Sequence, residues 1–431
     1  MIRAAHRPVP ARAAARGRVL RAAEYGAASA ATTARTTAVH AIVRAALYLY
    51  VISIPFEMPD RTIPVEIPTL AAAILLLTTM VQPAVCYRRI PSALLWFAAW
   101  LWVFVAAVWI NGMEHIALVV RLFLNMVLLL LVLWVITNLL QDRRVVHGLL
   151  LALVAACVLR AGIQLLGIAT TIDTLWGGGE RVTVLGQNSN LSAMILSAGL
   201  VALVGLQATG NPGIPRAGLM TWPLAALLGL AIVQSGSRGG ILCAVAGLAV
   251  FAFRGRSARM KLRNGLMATA ALVLLVWSGY RSQVVRNRFA EAATGQLAGR
   301  EVIYPALLEM FAERPVLGWG PIANQYEIAR RIDEVRRPSR DAHNLALEVL
   351  TTTGIIGAIP FFIGIALAVR SAWRARNGPL GAIPLALLAV VFVGTLSGTW
   401  IAAKIVWLAL SLAVAAGIER QPRIAARSWS G

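Results

Sequence analysis

The chain has 431 residues, 59% of them hydrophobic and 13% charged, with a mean hydropathy of +0.73. Soluble domains run at about 45–50% apolar and about 25% charged, so the composition excludes a soluble globular enzyme, a disordered tail protein and a collagen-like fibre. The formal net charge is +22, but the cations gather in an N-terminal arm and between apolar runs. That placement reads as membrane topology and contact with anionic lipid, with no nucleic acid involved.

Continuous apolar runs, without the alternation of a transmembrane barrel, indicate a helical membrane protein. Residues 1–38 form a basic arm with Arg3, Arg7, Arg12, Arg16, Arg18, Arg21 and Arg35 against one acid, Glu24. It lacks the apolar core of a secretory signal and reads as a cytoplasmic arm, although its composition resembles an organelle transit peptide. A span needs about 20 apolar residues. Runs of that order begin near Val39, Ile67, Ala93, Ile116, Gly148, Asn188, Leu219, Gly240, Gly265, Leu345, Leu380 and Ile401, giving about twelve spans. Those flanking Ser235–Gly240 are short. With the N-terminus inside, the cytoplasmic loops hold Arg88 and Arg89, Arg143 and Arg144, Arg216, the cluster from Arg254 to Arg263, and Arg370 to Arg376. The short outer loops hold little beyond Arg61, Arg181 and Arg238, in agreement with the positive-inside rule.

The expected organisation is the arm at 1–38, a membrane domain of about nine spans at 39–280, a large outer loop at 281–344, further spans at 345–418 and a cytoplasmic tail at 419–431. The loop carries ten arginines and eight acids, and loops of this length are usually functional. The spacing predicts an amphipathic helix over Glu301–Glu313, with Val302, Ala306, Met310 and Ile303, Leu307, Phe311 on one face. Pro315 ends it, Gly318-Trp319-Gly320-Pro321 is a turn, and a second helix is expected over Ile322–Arg337.

Cys86, Cys157 and Cys243 lie in or beside apolar runs without metal-site or redox spacing, so neither a disulfide framework nor a zinc site is expected. The five histidines are scattered, and no Asp-x-Asp pair is present to hold a divalent metal under a nucleotide sugar. Neither a metal nor a cofactor is expected. Ser235-Gly236-Ser237-Arg238-Gly239-Gly240 interrupts two apolar runs, either as a plain turn or as a break whose backbone N–H groups favour an anion. Arg238 adds a planar fork suited to phosphate. Arg121, Arg160 and Lys404 lie in or near spans toward one leaflet, where they either snorkel and pack or meet an anionic head group. Arg300 opens the amphipathic helix. His343, beside two nearby arginines and just before a span, is positioned to stay neutral and act as a base. Asp341 or Asn344 is placed to orient it or to cap the helix. Asn188-Ser189-Asn190 is a helix cap or an amide group offered to a sugar.

In this order the motifs resemble the bacterial O-antigen ligases, O-antigen and exopolysaccharide polymerases and related protein O-oligosaccharyltransferases. The resemblance rests on Asn188-Ser189-Asn190, Ser237-Arg238-Gly239, Arg300 with Pro315-Val316-Leu317-Gly318-Trp319-Gly320, and His343-Asn344 with Gly354-Ile355-Ile356-Gly357. It spans roughly residues 186–360, and Thr352 departs from it where many members carry an acid. It implies an all-α, GT-C-like membrane fold with one large periplasmic loop. It also implies a glycosyltransferase that needs no metal and acts in the bacterial inner membrane on a glycan linked through diphosphate to undecaprenol. Carried over by motif, Arg238 and Arg300 hold the diphosphate and His343 assists the acceptor hydroxyl. Arg160, Arg121, Asn190 and Lys404 are further substrate-binding candidates.

The leading reading is a polymerase of lipid-linked repeat units in exopolysaccharide or O-antigen biosynthesis. The runner-up is a ligase that transfers finished glycan to a lipid core, or a protein O-oligosaccharyltransferase. From a different class, a transporter of polysaccharide or lipid-linked glycan also suits twelve spans with intramembrane cations, but the charges gather at one face. Expected partners are the donor, a glycan acceptor, anionic lipids, and chain-length or export proteins.

Overall fold

The computed structural model describes residues 38–58, 66–111, 113–173, 180–209, 217–252, 258–295, 297–333, 338–378 and 380–418. The basic arm up to residue 37 and the tail from 419 lie outside the described residues, as do Arg61, Arg216, Arg254 and Arg256. The described chain is a helical bundle, and the protein is an all-α integral membrane protein. Among the described residues, six helices are long and apolar enough to cross a bilayer: α4 (Ser92–Asn111), α5 (Ile116–Leu139), α6 (Arg143–Leu165), α7 (Ser189–Thr209), α10 (Ala258–Arg281) and α14 (Leu345–Ala375). Six shorter apolar helices occupy the other expected runs: α1 (Ala41–Ser53), α2 (Ile67–Thr78), α8 (Ala217–Gln234), α9 (Arg238–Ala252), α15 (Ile383–Thr395) and α16 (Lys404–Ile418). A short α3 (Pro83–Cys86) precedes α4.

Apolar side chains are no better buried against protein than against lipid, so helices in a bilayer associate through close backbone approach and internal hydrogen bonds. The most enclosed of the six long helices, α7, shows both. Its Ser192, Ala193, Ser197, Ala198, Gly199 and Ala202 are buried. The Ser197 hydroxyl donates to the Gly240 carbonyl at 2.9 Å. A Cβ on Gly240 would fall 2.1 Å from Ala193 Cβ, so α9 can lie this close to α7 only with glycine there. Elsewhere α4, α14 and α16 share an aromatic cluster with edge-on rings: Phe97–Phe361 at 5.7 Å, Phe97–Trp407 at 5.3 Å and Trp100–Phe361 at 5.2 Å. This is the preferred ring geometry.

Helix α9, which follows α8, is short for a span. At 1.5 Å per residue, the 15 residues of α9 rise about 22 Å, against about 30 Å of hydrocarbon. The turn between them is accordingly recessed, with Ser235, Gly236 and Ser237 all buried.

The segment after α10 is structured. Three helices follow: α11 (Gln283–Ala293), α12 (Arg300–Glu313) and α13 (Ala323–Arg331). The face that α12 buries consists of Ile303, Ala306, Leu307 and Met310, while Val302 is 54% exposed. The expected apolar stripe is therefore one residue too broad. Ile303, Leu307 and Met310 meet Ile328 of α13 and Ala342 in a small core separate from that of the bundle. Arg331 ties the two helices from outside, pairing with Glu327 at 2.7 Å and Glu313 at 2.5 Å. The Arg314 guanidinium lies 3.9 Å over the Trp319 ring.

This unit is anchored to the membrane helix α14 through a break. Gly354 has φ 59° and ψ −163°, which opens the helix. The exposed carbonyls of Thr351 and Thr352 accept from the N–H groups of Trp319 (2.7 Å) and Gly320 (3.0 Å). Ile355 and Ile356 donate to the carbonyls of Pro315 (2.8 Å) and Val316 (3.2 Å). Non-helical backbone at this depth survives only when the protein itself satisfies it, and here the Pro315–Gly320 turn does so. A side chain on Gly354 would combine a left-handed φ with a contact of 2.2 Å to the Val316 carbonyl. An antiparallel hairpin, β1 (Thr170–Asp173) with β2 (Arg181–Val184), follows α6 and pairs Asp173 with Arg181.

Candidate active site

The Ser-Gly-Ser-Arg-Gly segment forms a capped turn. Gly236 (φ 64°) donates its N–H to the Val233 carbonyl, and Ser237 N–H reaches Ser235 Oγ at 3.3 Å. Ser237 is the N-cap of α9, its Oγ accepting from Gly240 N–H at 3.0 Å. Of the two readings of this segment, the turn describes it: these N–H groups are bonded inside the turn.

The turn is braced from α7 and the hairpin. Asn188 caps α7, its Oδ1 taking the Asn190 N–H at 2.9 Å. The Asn190 Oδ1 accepts from the Ser237 hydroxyl at 2.8 Å and from Arg181 Nη2 at 3.2 Å. Arg181 Nε donates to the Ser235 carbonyl at 3.3 Å. Asn190 thus holds the turn through its carbonyl oxygen, and Arg181, which sequence reading treats as a loop charge, fastens it. Both act through the placement of Arg238, the first residue of α9.

Four segments converge around Arg238. Its Nη1 donates to the backbone carbonyl of Arg288 on α11, and its charge lies within electrostatic reach of Arg288, Arg300, Glu291 and Glu301. Next to it, Gly239 faces the turn after α15, where a Cβ would stand 2.9 Å from Ser397 Oγ. Arg300 Nη2 donates to the Ser397 carbonyl at 2.8 Å, and its Nη1 to the Leu297 carbonyl at 3.0 Å. One turn along α12, the Tyr304 hydroxyl reaches both the Leu396 carbonyl (3.0 Å) and the His343 carbonyl (3.3 Å). Arg238, Arg300 and His343 are therefore gathered at one end of the bundle, though they lie far apart in the chain.

His343 adopts φ 51°, an uncommon conformation for a residue with a side chain. It is fixed by Asn344, whose Oδ1 caps α14 by accepting from Ala346 (2.9 Å) and Leu347 (3.2 Å). Burial, and then the charges of Arg300 and Arg340, depress the imidazole to about 4. At neutral pH it is an uncharged base. Glu301 is held below the usual carboxylate range, chiefly by backbone N–H groups at the start of α12.

The other candidates lie elsewhere. Arg160 is fully buried and donates to the Pro55 carbonyl (2.6 Å) and Ser192 Oγ (2.7 Å). Lys404 is buried between Glu57 and Glu66, with its Nζ 2.8 Å and 2.6 Å from their oxygens. Their contacts lock helices together. Arg121 is exposed on the second turn of α5. Thr352 donates weakly to Glu348 Oε1 at 3.5 Å, one turn earlier on α14. A buried acid thus stands beside the position where the resemblance expects one.

Two residues of this region escape sequence reading: Arg181, and Arg288, which is 5% exposed. The only available signal was their position between recognised motifs.

Residues 223–362 match the family model described as O-antigen ligase. The match contains Arg238, Arg300, His343 and the Gly354 break, while Arg181, Asn190 and the Leu396–Ser397 turn lie outside it. No curated protein matches the chain. On the family match, residues 223–362 form a region similar to the O-antigen ligase family.

Proposed function

We propose that this protein polymerises oligosaccharide repeat units carried on undecaprenyl diphosphate, at the periplasmic face of the bacterial inner membrane, in exopolysaccharide or O-antigen assembly. The observation that carries this reading is that Arg300 lies within electrostatic reach both of Arg238 and of a histidine that is neutral at physiological pH.

The acceptor hydroxyl oxygen attacks the anomeric carbon as that carbon's bond to the diphosphate breaks. The electron pair leaves with the phosphate oxygen, and the hydroxyl proton passes to His343. Arg238 and Arg300 bind the diphosphate and neutralise the charge that develops on it, the main task in such a displacement. A metal is not required for this step, and activity is expected to survive chelation. A base with a pKa near 4 is weak at neutral pH, but one of the two arginine charges that depress it, that of Arg300, is one the donor neutralises. Donor binding therefore raises the basicity of His343 when the acceptor must be deprotonated. Basic loops between spans suit anionic lipid around the bundle.

The test is transfer between supplied lipid-linked donor and acceptor by purified protein in vesicles without an ion gradient. Wild type is expected to extend the glycan, while Arg238→Ala and Arg300→Ala each lose about 10²–10³-fold in kcat without loss of folded protein. Near-normal turnover in both variants would remove the proposed roles, and gradient-dependent movement without bond formation would mean a transporter. The family description favours a second reading, a ligase passing finished glycan to a lipid core. Deletion of the gene separates the two: loss of a polymerase leaves single repeats, and loss of a ligase leaves full chains on the carrier lipid.

A further inference from the structure

We infer that the corner between α10 and α11, where Arg281 and Arg286 lie over the rings of Trp277 and Tyr280, is a landing site for the diphosphate of the lipid-linked donor on its way to Arg238. This rests on the reading of Arg238 as a diphosphate-binding residue at the outer face of the membrane.

One face of α10 is left bare along its length. Leu262, Leu266 and Val273 are exposed on it, and at helical spacing the stripe ends in Trp277 and Tyr280, 55% and 71% exposed. An apolar stripe that closes on tryptophan and tyrosine marks where a span leaves the hydrocarbon. Arg281 and Arg286 follow directly and are exposed. The Arg281 guanidinium lies 5.2 Å from the Trp277 ring, and that of Arg286 lies 5.7 Å from the Tyr280 ring. Arg286 also donates to the Tyr280 carbonyl. Trp277 and Tyr280 are neighbours on one helix face, so the two cations are held on one corner. Among the described residues, no acid lies within ion-pair distance of either.

Exposed arginines at the outer end of a span run against the positive-inside bias. A ring face holds a guanidinium while leaving its N–H edge free, and that edge matches phosphate oxygens. Phe289, one turn past Arg286, is exposed as well. The corner thus presents cationic and apolar surface together, the two halves of an amphiphile.

Position and charge select the donor among anionic lipids. The opposite side of α11 touches the Ser235–Arg238 turn: a Cβ on Gly236 would stand 3.0 Å from Val284 Cγ1, and Arg238 donates to the Arg288 carbonyl. Arg286 is two residues from each of these contacts, on the other side of the helix. A diphosphate linked at both ends carries two negative charges, which two guanidiniums answer, whereas a phosphatidylglycerol head group carries one. Capture here raises the local concentration of donor without touching the bond that breaks, so it acts on KM and leaves kcat alone.

The experiment varies the mole fraction of donor in phosphatidylcholine vesicles and compares wild type with the double variants Arg281→Gln/Arg286→Gln and Arg281→Lys/Arg286→Lys. The glutamine pair is expected to raise donor KM about tenfold with kcat at saturation within about twofold of wild type, and the lysine pair to recover most of the loss. A binding arm uses Arg238→Ala/Arg300→Ala protein, with undecaprenyl diphosphate or phosphatidylglycerol as probe and native mass spectrometry as readout. This protein should still retain undecaprenyl diphosphate, and should lose it when Arg281→Gln and Arg286→Gln are added. An unchanged KM overturns the inference, as does a fall in kcat at saturating donor, which marks a structural role. Displacement of undecaprenyl diphosphate by an equal amount of phosphatidylglycerol also overturns it and leaves an ordinary lipid contact. If wild type neither transfers glycan nor binds undecaprenyl diphosphate, the underlying reading falls instead.

Discussion

Lys404 and Arg238 each begin an apolar helix, α16 and α9, yet their surroundings differ in kind. Lys404 is enclosed by two acids that come from the other end of the chain, and its backbone N–H also bonds Glu57, at 3.0 Å and 3.3 Å to the two oxygens. Arg238 is surrounded by Arg288 and Arg300, with Glu291 and Glu301 bearing on it from α11 and α12. The first arrangement is closed, each charge answered by an opposite one within the fold. The second gathers three cations and two acids from separate helices without a close pair of that kind at Arg238 among the contacts described. Sequence reading makes both cations site candidates, Arg238 for the diphosphate and Lys404 for substrate binding, because both interrupt hydrocarbon. What separates them is which partners the fold delivers.

This contrast can be broken by exchanging the consequences. The largest effect on the fold is expected from Lys404→Met, which strands Glu57 and Glu66 in a buried place. Its cost is about 3–5 kcal/mol, read as a lowered denaturant midpoint in detergent, while turnover per folded molecule falls far less than in Arg238→Ala. A stable Lys404→Met variant that cannot transfer glycan would place Lys404 in the site after all. A smaller effect, about 1–3 kcal/mol, is expected from Gly354→Ala, which forces a side chain into a left-handed conformation against the Val316 carbonyl. Hydrogen exchange should accelerate at the amides of Trp319, Gly320, Ile355 and Ile356 before global stability is lost, and unchanged protection there would contradict the docking of the turn.

The smallest effect sharpens the electrostatic half of the comparison. Burial, Arg300 and Arg340 hold His343 near 4, below its ordinary 6.5. The base is therefore competent above that value and fails as pH falls through it. Arg340→Gln removes one depressing charge, so the acid limb of kcat/KM, which reports the free enzyme, should move upward. It should remain below 6.5, because burial, the larger cause, persists. A limb that stays fixed or moves down would show that Arg340 does not act on the imidazole.

Much of the scaffold was legible. All twelve apolar runs became helices, and the helix at Arg300–Glu313 lies where its period placed it. Composition and periodicity are local properties, and local properties survive in the sequence. Most of the misses are matters of long-range contact. The ion pair of Lys404 with Glu57 joins residues 347 positions apart. Arg181 gains its role only when a four-residue strand folds back toward Asn190, and Arg288 only when a polar helix turns one face inward. Val302 was assigned to the apolar face because the period alone cannot tell the edge of a stripe from its centre. The Gly354 break was invisible because its four hydrogen bonds come from another segment. The cluster of Arg238, Arg300 and His343 was named from its resemblance to a family, and its convergence needed the coordinates.

The hook between the Pro315–Gly320 turn and the opened helix at Gly354 has one more consequence. It sets, like a depth gauge, the level of Arg300, at the start of α12, and of His343, just before α14, along the bundle. A lipid carrier anchored by its tail presents its phosphates at nearly constant height, whatever sugars follow. On the proposed polymerase reading, reacting groups clipped to a membrane helix at a matching level would make every bond in one plane, and a growing polymer of any length would be pushed away from it without the enzyme having to move.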